Sequence, residues 1–476
     1  MNQATTPTLS RKEKFAYGLG DMSSAIVYQA VINVLMFFYT DVYGIEAAAA
    51  GTLMIVVRLF DAITDPIMGA VADRTRTRWG RYRPWMMWIA IPYGMLAVAA
   101  FITPNVDAGT KLVYAYISYA LLMTAYTAVN IPYSALAGVM TNNKDERSGL
   151  QSWRFGMAMI GGFLVTVSIW PLSRLLGGGG QPEDLQLGFP FAVALLAVVG
   201  ILGFFGCFAW TRERYYPEEN IHPEGDAKKT VERTKILEDV GAMFRNSQWL
   251  IVTLAMFIIQ IRGGLQGAVK PYFIKYYINP DLSGFFSITE NFMALNMGLT
   301  MLAGVAGVIF ANHLFLARGW CKVTVMKLAI IGSIVPNALL LVVPREWWEA
   351  SLALLMFANF FHMMFLPLLF SAIPDTVDYG LKTIGKGAMA MFFAGQLFAL
   401  KLGISVGGGS SGWILGFFGY EANVEQSESS LFGIKMAFAG GPVVAAIIVV
   451  FLLQFYKLTK NWENRESLIR PQVEPQ

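Results

Sequence analysis

RLFDAITDP, residues 58–66, sets Arg58, Asp61 and Asp65 in a segment that is otherwise apolar, between AAAAGTLMIVV (47–57) and PIMGAVA (66–72). On a helix, the offsets of three and seven residues put the three side chains on one face. A charge at the centre of a bilayer costs about 2.5–3.5 kcal/mol on the insertion scale, so such residues turn to the interior of a bundle and mark ion or substrate paths. Two aspartates one turn apart repel each other at low dielectric. A bound proton relieves that repulsion. So does a hard cation such as Na+ held by carboxylate oxygens. A salt bridge from Arg58 that locks the helix is the structural alternative. Arg58 can neutralise only one of the two aspartates, which favours a cation site.

The rest of the chain shows why those charges matter. Of 476 residues, 55% are hydrophobic and 14% are charged, against about 25% charged in soluble proteins. The mean hydropathy is +0.50. Runs such as WMMWIAIPYGMLAVAAFIT (85–103), FAVALLAVVGILGFFGCFAW (191–210) and PVVAAIIVVFLLQFY (442–456) recur along almost its whole length. Spanning a bilayer takes about 20 such residues per helix. The pattern is that of a polytopic all-α membrane protein; a barrel would alternate in short strands. Twelve spans are expected, at 15–40, 47–72, 84–103, 111–139, 149–172, 188–211, 248–277, 285–312, 322–343, 349–372, 386–417 and 431–456.

The longest connection is polar and charged and holds Pro217 and Pro223. It divides the chain into an N-terminal six-helix half (1–211), a central loop (212–246), a C-terminal six-helix half (247–457) and a tail (458–476). Two six-helix halves about a central pathway are the architecture of major facilitator transporters. Lys and Arg gather on one side: Arg11, Lys12 and Lys14, then Arg74 to Arg83, Lys144 and Arg147, the central loop, Arg318, Lys322, Lys382, Lys386 and the tail. The other side has little beyond Lys111, Arg174 and Arg345. Both termini are therefore expected in the cytoplasm. The polar MNQATTPTLSRKEK start (1–14) and the long span after it do not read as a cleavable signal.

Several readings close quickly. The net charge of +4 sits in short loops and does not imply nucleic acid. Cys207 and Cys321 read as packing residues. GGGG (177–180) has no Lys-Ser/Thr after it and no strand before it, so it is an outer loop and not a phosphate cradle. No nucleophile–base pair or metal cluster stands out, so neither an enzyme nor a cofactor is expected.

Other polar groups fall inside spans. YTAVNIPYSAL (126–136) sets Tyr126, Asn130 and Tyr133 about one turn apart, beside a proline expected to open the helix. Tyrosine faces and Asn amides suit sugar rings and hydroxyls; simple packing is the alternative. Arg154 sits just inside a span, and Lys401 too deep for easy snorkelling. IRGGLQGAVKPYF (261–273) carries Arg262 and Lys270 among helix-loosening Gly and Pro. Asp21 and Glu290 are weaker candidates, and His362 reads as a hydrogen-bonded core residue.

GAVADRTRTRWGRYRP (69–84) resembles the helix 2–3 loop of the major facilitator superfamily, through Gly69, Asp73, Arg74, Gly80 and Arg81. YGLGD (17–21), FFYTDVYG (37–44), DAITDPIMG (61–69), RWGRYRPW (78–85), NIPYSAL (130–136) and DTVDYG (375–380) are together similar to the glycoside–pentoside–hexuronide:cation symporter family, across both halves. That resemblance implies uptake of a sugar or glycoside with Na+, H+ or Li+ by alternating access in a multi-pass cell inner membrane protein, acting as a monomer. It makes Asp61 and Asp65 the cation ligands, with Thr127 a nearby hydroxyl. Tyr126 and Arg154 match sugar-site positions, and Lys401 a lysine of the same charged network. Asp73, Arg74, Arg81, Asp375 and Asp378 fall on latches that exchange partners as the halves rock.

Two departures bear on the sugar. Ala25 and Asn130 stand where the family's melibiose carrier has sugar-binding aspartates, which disfavours a galactoside and favours a pentoside or hexuronide. Arg154, Arg262, Lys270 and Lys401 also leave positive charge without a partner, which points to an acidic substrate. A uniporter or exporter of the same fold, and more remotely a membrane sugar sensor, are the other readings.

Overall fold

The computed structural model describes residues 9–141, 144–179, 181–214, 241, 243–278, 289–311, 318–385 and 389–459. These are helical almost throughout. They divide into two compact units, one drawn from Met1–Asn220, Asp281–Gly298 and Leu415–Glu425, the other from Ile221–Pro280, Leu299–Ile414 and Gln426–Gln476.

The first unit holds α1 (Arg11–Ala30), α2 (Ala47–Arg74), α3 (Arg83–Ala99), α4 (Ala108–Met140), α5 (Lys144–Gly177) and α6 (Pro182–Trp210). α1 starts at a reciprocal cap: the Glu13 N–H donates to Ser10 Oγ at 3.2 Å and the Ser10 N–H to the Glu13 carboxylate at 3.1 Å. Beyond Ala30 it continues in wide turns, Val31–Leu35 and Phe38–Val42. α1 packs on α5 and α6, α3 on α4 and α6, and α2 on α4. The sequence of α6 explains its place. Leu187, Phe191, Leu195, Val198 and Leu202 recur at helical spacing and are exposed, while Gly188, Ala192, Leu196, Gly200 and Gly203 on the other side are buried. Apolar outside and small inside is how a helix faces lipid and lets its neighbours approach. At Gly188 a side chain would strike the Ser173 carbonyl of α5. α4 runs unbroken through Pro132, a correction to the opening expected there. Neighbouring groups in a bundle absorb the freed carbonyl.

The second unit holds α7 (Ser247–Tyr272), α9 (Lys322–Leu339), α10 (Trp348–Ser371), α11 (Ile373–Ile384), most of α12 (Met389–Phe417), and α13 (Glu428–Lys435) and α14 (Gly441–Leu452). α8 (Thr289–Phe310) is shared, passing from the first unit to the second after Gly298. α7 widens into a π turn, Phe273–Ile278, directly after Pro271, whose ring removes a donor and crowds the preceding turn. α7 and α12 meet backbone to backbone: side chains at Gly264 or Gly407 would strike the Ile404 or Ile261 carbonyl. Met256, Ile259, Met326, Phe365, Leu369 and Val449 form part of the apolar core. The chain breaks between α10 and α11, and Lys322 Nζ bridges the break, donating to the Ser371 carbonyl and the Asp375 carboxylate at 2.7 Å each.

Among the described residues, eight helices are long and apolar enough to cross a membrane: Ala108–Met140, Gly149–Gly177, Pro182–Trp210, Ser247–Ile278, Lys322–Leu339, Trp348–Ile384, Phe392–Phe417 and Glu428–Leu452. The molecule is thus a multi-pass helical membrane protein. α2 carries the charged residues that build the site.

Candidate functional site

α2 presents Asp61 and Asp65 one turn apart, and α4, packed against it, brings Thr127 between them. Thr127 Oγ1 lies 2.7 Å from Asp61 Oδ1 and 3.0 Å from Asp65 Oδ1. Asp61 is 4% exposed and Thr127 2%; Asp65 is half-buried. A hydroxyl has one hydrogen to give. It can serve one carboxylate or be shared between the two, and a cation among the three oxygens would relieve the repulsion that remains. The donors are all oxygen, and no group of three or more His, Cys, Asp or Glu able to hold a metal occurs among the described residues. The set suits a proton or a hard monovalent ion.

Arg58 does not close the pair. No carboxylate lies within 4.0 Å of it among the described residues. Its guanidinium stands 5.1 Å over the Tyr28 ring. Tyr28 stacks on Tyr126 at 5.1 Å, and Tyr93 lies 6.3 Å from Tyr126. Tyr119, Tyr126 and Asp61 are within electrostatic reach of Arg58. A tyrosine cage therefore surrounds the arginine, Tyr28 holding it by its π face, and leaves its charge acting on Asp61 from a distance. The cage is a finding that sequence reading missed, although Tyr119, Tyr126 and Tyr133 recur at intervals of seven residues.

Arg154 is matched. Its Nε donates to Asp21 Oδ2 at 3.1 Å, with both side chains largely buried, and its guanidinium lies 5.2 Å over the Tyr133 ring. Asp21, ranked among the weaker candidates, is the partner. Tyr133, expected as a sugar contact, is fully buried here, stacks on Tyr17 at 4.8 Å and donates its hydroxyl to the Tyr17 carbonyl at 2.8 Å. Asn130 keeps a free acceptor, since its Oδ1 is buried with no donor. Tyr126 and Asn130 are half-buried, on the same helix as Thr127.

The basic residues expected of the C-terminal half all lie in the second unit. Arg262 is 2% exposed, Lys270 is half-buried, and His362 is buried. His362 Nδ1 has no partner, which corrects its reading as a hydrogen-bonded core residue. The Lys401 side chain is exposed and points away from the core of its unit.

Of the expected latches, Arg81 is held through its backbone. The N–H groups of Arg81, Tyr82 and Arg83 all donate to the Glu213 carboxylate at 2.8 Å. This anchors the first turn of α3, where open N–H groups favour an anion. Glu213 follows a long apolar helix, and nothing in its own neighbourhood marks it. Gly80 has φ +115° and a side chain there would meet Glu213, so glycine is needed at that turn. Arg74 is exposed at the end of α2, Asp378 is exposed on α11, and Asp375 pairs with Lys322. The side chains of Asp73 and Glu290 lie outside those described.

Comparison with known proteins gives a consistent picture. The model of the family described as MFS/sugar transport protein matches residues 16–460. The inner membrane symporter YicJ of Escherichia coli (strain K12) is 36% identical over 463 residues, covering 95% of this chain and 93% of its own. The isoprimeverose transporter of Lactiplantibacillus pentosus is 32% identical over 456 residues, covering 94% and 89%. Among solved structures, the nucleoside transporter NupG superposes with a TM-score of 0.63 at 13% identity, covering 94% of this chain and all of that one. At that identity it speaks for the fold alone.

Proposed function

The chain belongs to the MFS/sugar transport family, within its glycoside–pentoside–hexuronide:cation symporter branch, and from that premise we propose that it imports a sugar or glycoside across a cell inner membrane by symport with Na+ or H+. A pentoside or an acidic glycoside is favoured over a galactoside. The supporting observation is the three-oxygen set of Asp61, Asp65 and Thr127, which has one hydrogen for two carboxylate contacts. The cation is cargo: it enters, quiets the repulsion between the aspartates and orders the neighbouring sugar contacts at Tyr126 and Asn130. Arg154 fixes the local charge through Asp21. The family fold supports twelve spans in two six-helix halves joined by the central loop, with both termini in the cytoplasm and a monomer that works alone by alternating access. A membrane potential supplies about 2.3 kcal/mol per charge per 100 mV, which is roughly fifty-fold accumulation with one cation.

The test is uptake of labelled glycosides into membrane vesicles, each with and without an imposed Na+ or H+ gradient. The expected result is gradient-driven accumulation that Asp61→Cys abolishes while sugar exchange persists. Accumulation indifferent to both ions, or an Asp61→Cys variant that still couples, refutes symport and leaves a uniporter.

A further inference from the structure

The first unit matches its buried positive charge internally, Arg154 with Asp21 and Arg58 within its tyrosine cage beside Asp61. The second unit does not. Arg262 lies near the middle of α7, 2% exposed, and its Nε is a buried donor without an acceptor. Neither Arg262 nor Lys270 has a hydrogen bond or ion pair among the described residues. Lys270 stands two turns further along the same helix. His362, on α10, is also buried, with Nδ1 unpartnered. Arg262 lies within electrostatic reach of both. A buried, unpaired cation is among the costliest features a fold can keep, and inside a membrane it marks a site.

The neighbouring face of α7 has open space. Side chains built at Gly263 and Gly267 would meet nothing within 4 Å. Gln266 and Lys270 follow Gly263 at offsets of three and seven residues, so all four line one half-buried stripe of α7 beside Arg262. Gln266 is held in place, its Nε2 donating to Asn337 Oδ1 and the Phe438 carbonyl at 3.2 Å each.

We propose that Arg262, with Lys270 and His362 beside it, forms a binding site for an oxyanion carried on the transported solute, a carboxylate or sulfonate. A guanidinium presents a planar fork that fits two such oxygens. Lipid headgroups are too far away: Arg262 is 10 residues from the nearer end of α7, or about 15 Å at 1.5 Å per residue. The proposal rests on the transport reading and assigns the acidic preference of the substrate to the second unit and not to Arg154.

The test uses the purified full-length protein in lipid nanodiscs and matched probe pairs: methyl β-D-glucuronide with methyl β-D-glucoside, and the galacto-configured equivalents. Inorganic sulfate is a separate arm. At least one acidic probe is expected to bind ten-fold or more tighter than its neutral parent. Arg262→Gln should bring the pair to parity, Arg262→Lys should keep part of the preference, and Lys270→Gln should reduce it. Thermal melting gives a second readout: ligand-free Arg262→Gln should melt no lower than the parent, because it loses an unpaired charge, while the added stability from the acidic probe disappears. The inference is overturned if no acid outbinds its parent ten-fold, if the preference survives Arg262→Gln, or if sulfate binds as tightly as the acidic sugar, which would mean an adventitious ion only. Gradient-driven uptake is scored separately. Lost ion dependence with a retained acid preference defeats the symport reading alone; intact ion dependence with parity defeats this site alone.

Discussion

Replacing Thr127 with valine is the sharpest probe of the cation site. The swap keeps the shape and removes the oxygen that stands 2.7 Å from Asp61 and 3.0 Å from Asp65. A hydrogen bond to a charged group contributes about 1.5–3 kcal/mol, and each 1.4 kcal/mol is ten-fold in affinity. The coupling ion should therefore bind roughly ten- to a hundred-fold more weakly. The expected signature is a shift in the ion concentration that half-activates vesicle uptake, with the maximal rate largely kept and Thr127→Ser close to the parent. An unchanged half-activating concentration in Thr127→Val would refute the reasoning: the hydroxyl would then be a packing feature and the aspartates would bind the ion without it.

Other consequences follow from contacts elsewhere. Glu213→Gln keeps one acceptor for three N–H groups and removes the charge, so the helix 2–3 loop should loosen; a melting point in detergent several degrees lower, or faster proteolysis in residues 75–83, would show it, and an unchanged protein would mean that the loop holds itself. Glu13 provides a pH effect. Partial burial works to raise its carboxyl, but the hydrogen bonds from Arg214 and Ser10 outweigh it and hold the carboxyl below its ordinary value. A depressed carboxyl contributes stability above its unfolded pKa and loses it as pH falls through the folded value, so Glu13→Gln should lower the melting point at neutral pH, leave it nearly unchanged below the folded value, and so flatten the acid limb of the profile. Gly407→Ala should destabilise the second unit by pushing α12 off the Ile261 carbonyl of α7; equal expression and melting would show that the helices yield at no cost. Tyr420→Phe removes a donor 2.8 Å from the buried Asp41 carboxylate and should lower stability by about 1.5–3 kcal/mol.

Much of the site was readable because helical periodicity acts within one segment. The spacing of Arg58, Asp61 and Asp65 fixed their common face, and apolar length fixed the class of protein. Thr127 entered through a family likeness, yet its role as a bridge required α2 and α4 to pack. Three partnerships stayed hidden for one reason: a single sequence shows a polar residue but not its partner. Tyr133 looked like a sugar contact and proved to spend its hydroxyl on Tyr17. Arg154 looked unpaired until α1 brought Asp21 to it across 133 positions of chain. Glu213 looked like the start of a loop and closes the first turn of α3 from 130 positions away.

By itself, then, the sequence determined a many-helix membrane protein with paired carboxylates on one helix face, because burial in lipid forces each apolar run into a helix and each charge to its inner side. Only the tertiary structure decided which charges were matched. Electrostatic pairing acts over a few ångströms between helices remote in the chain, and it satisfied Arg154, set Arg58 over an aromatic ring and left Arg262 without a counter-charge among the described residues.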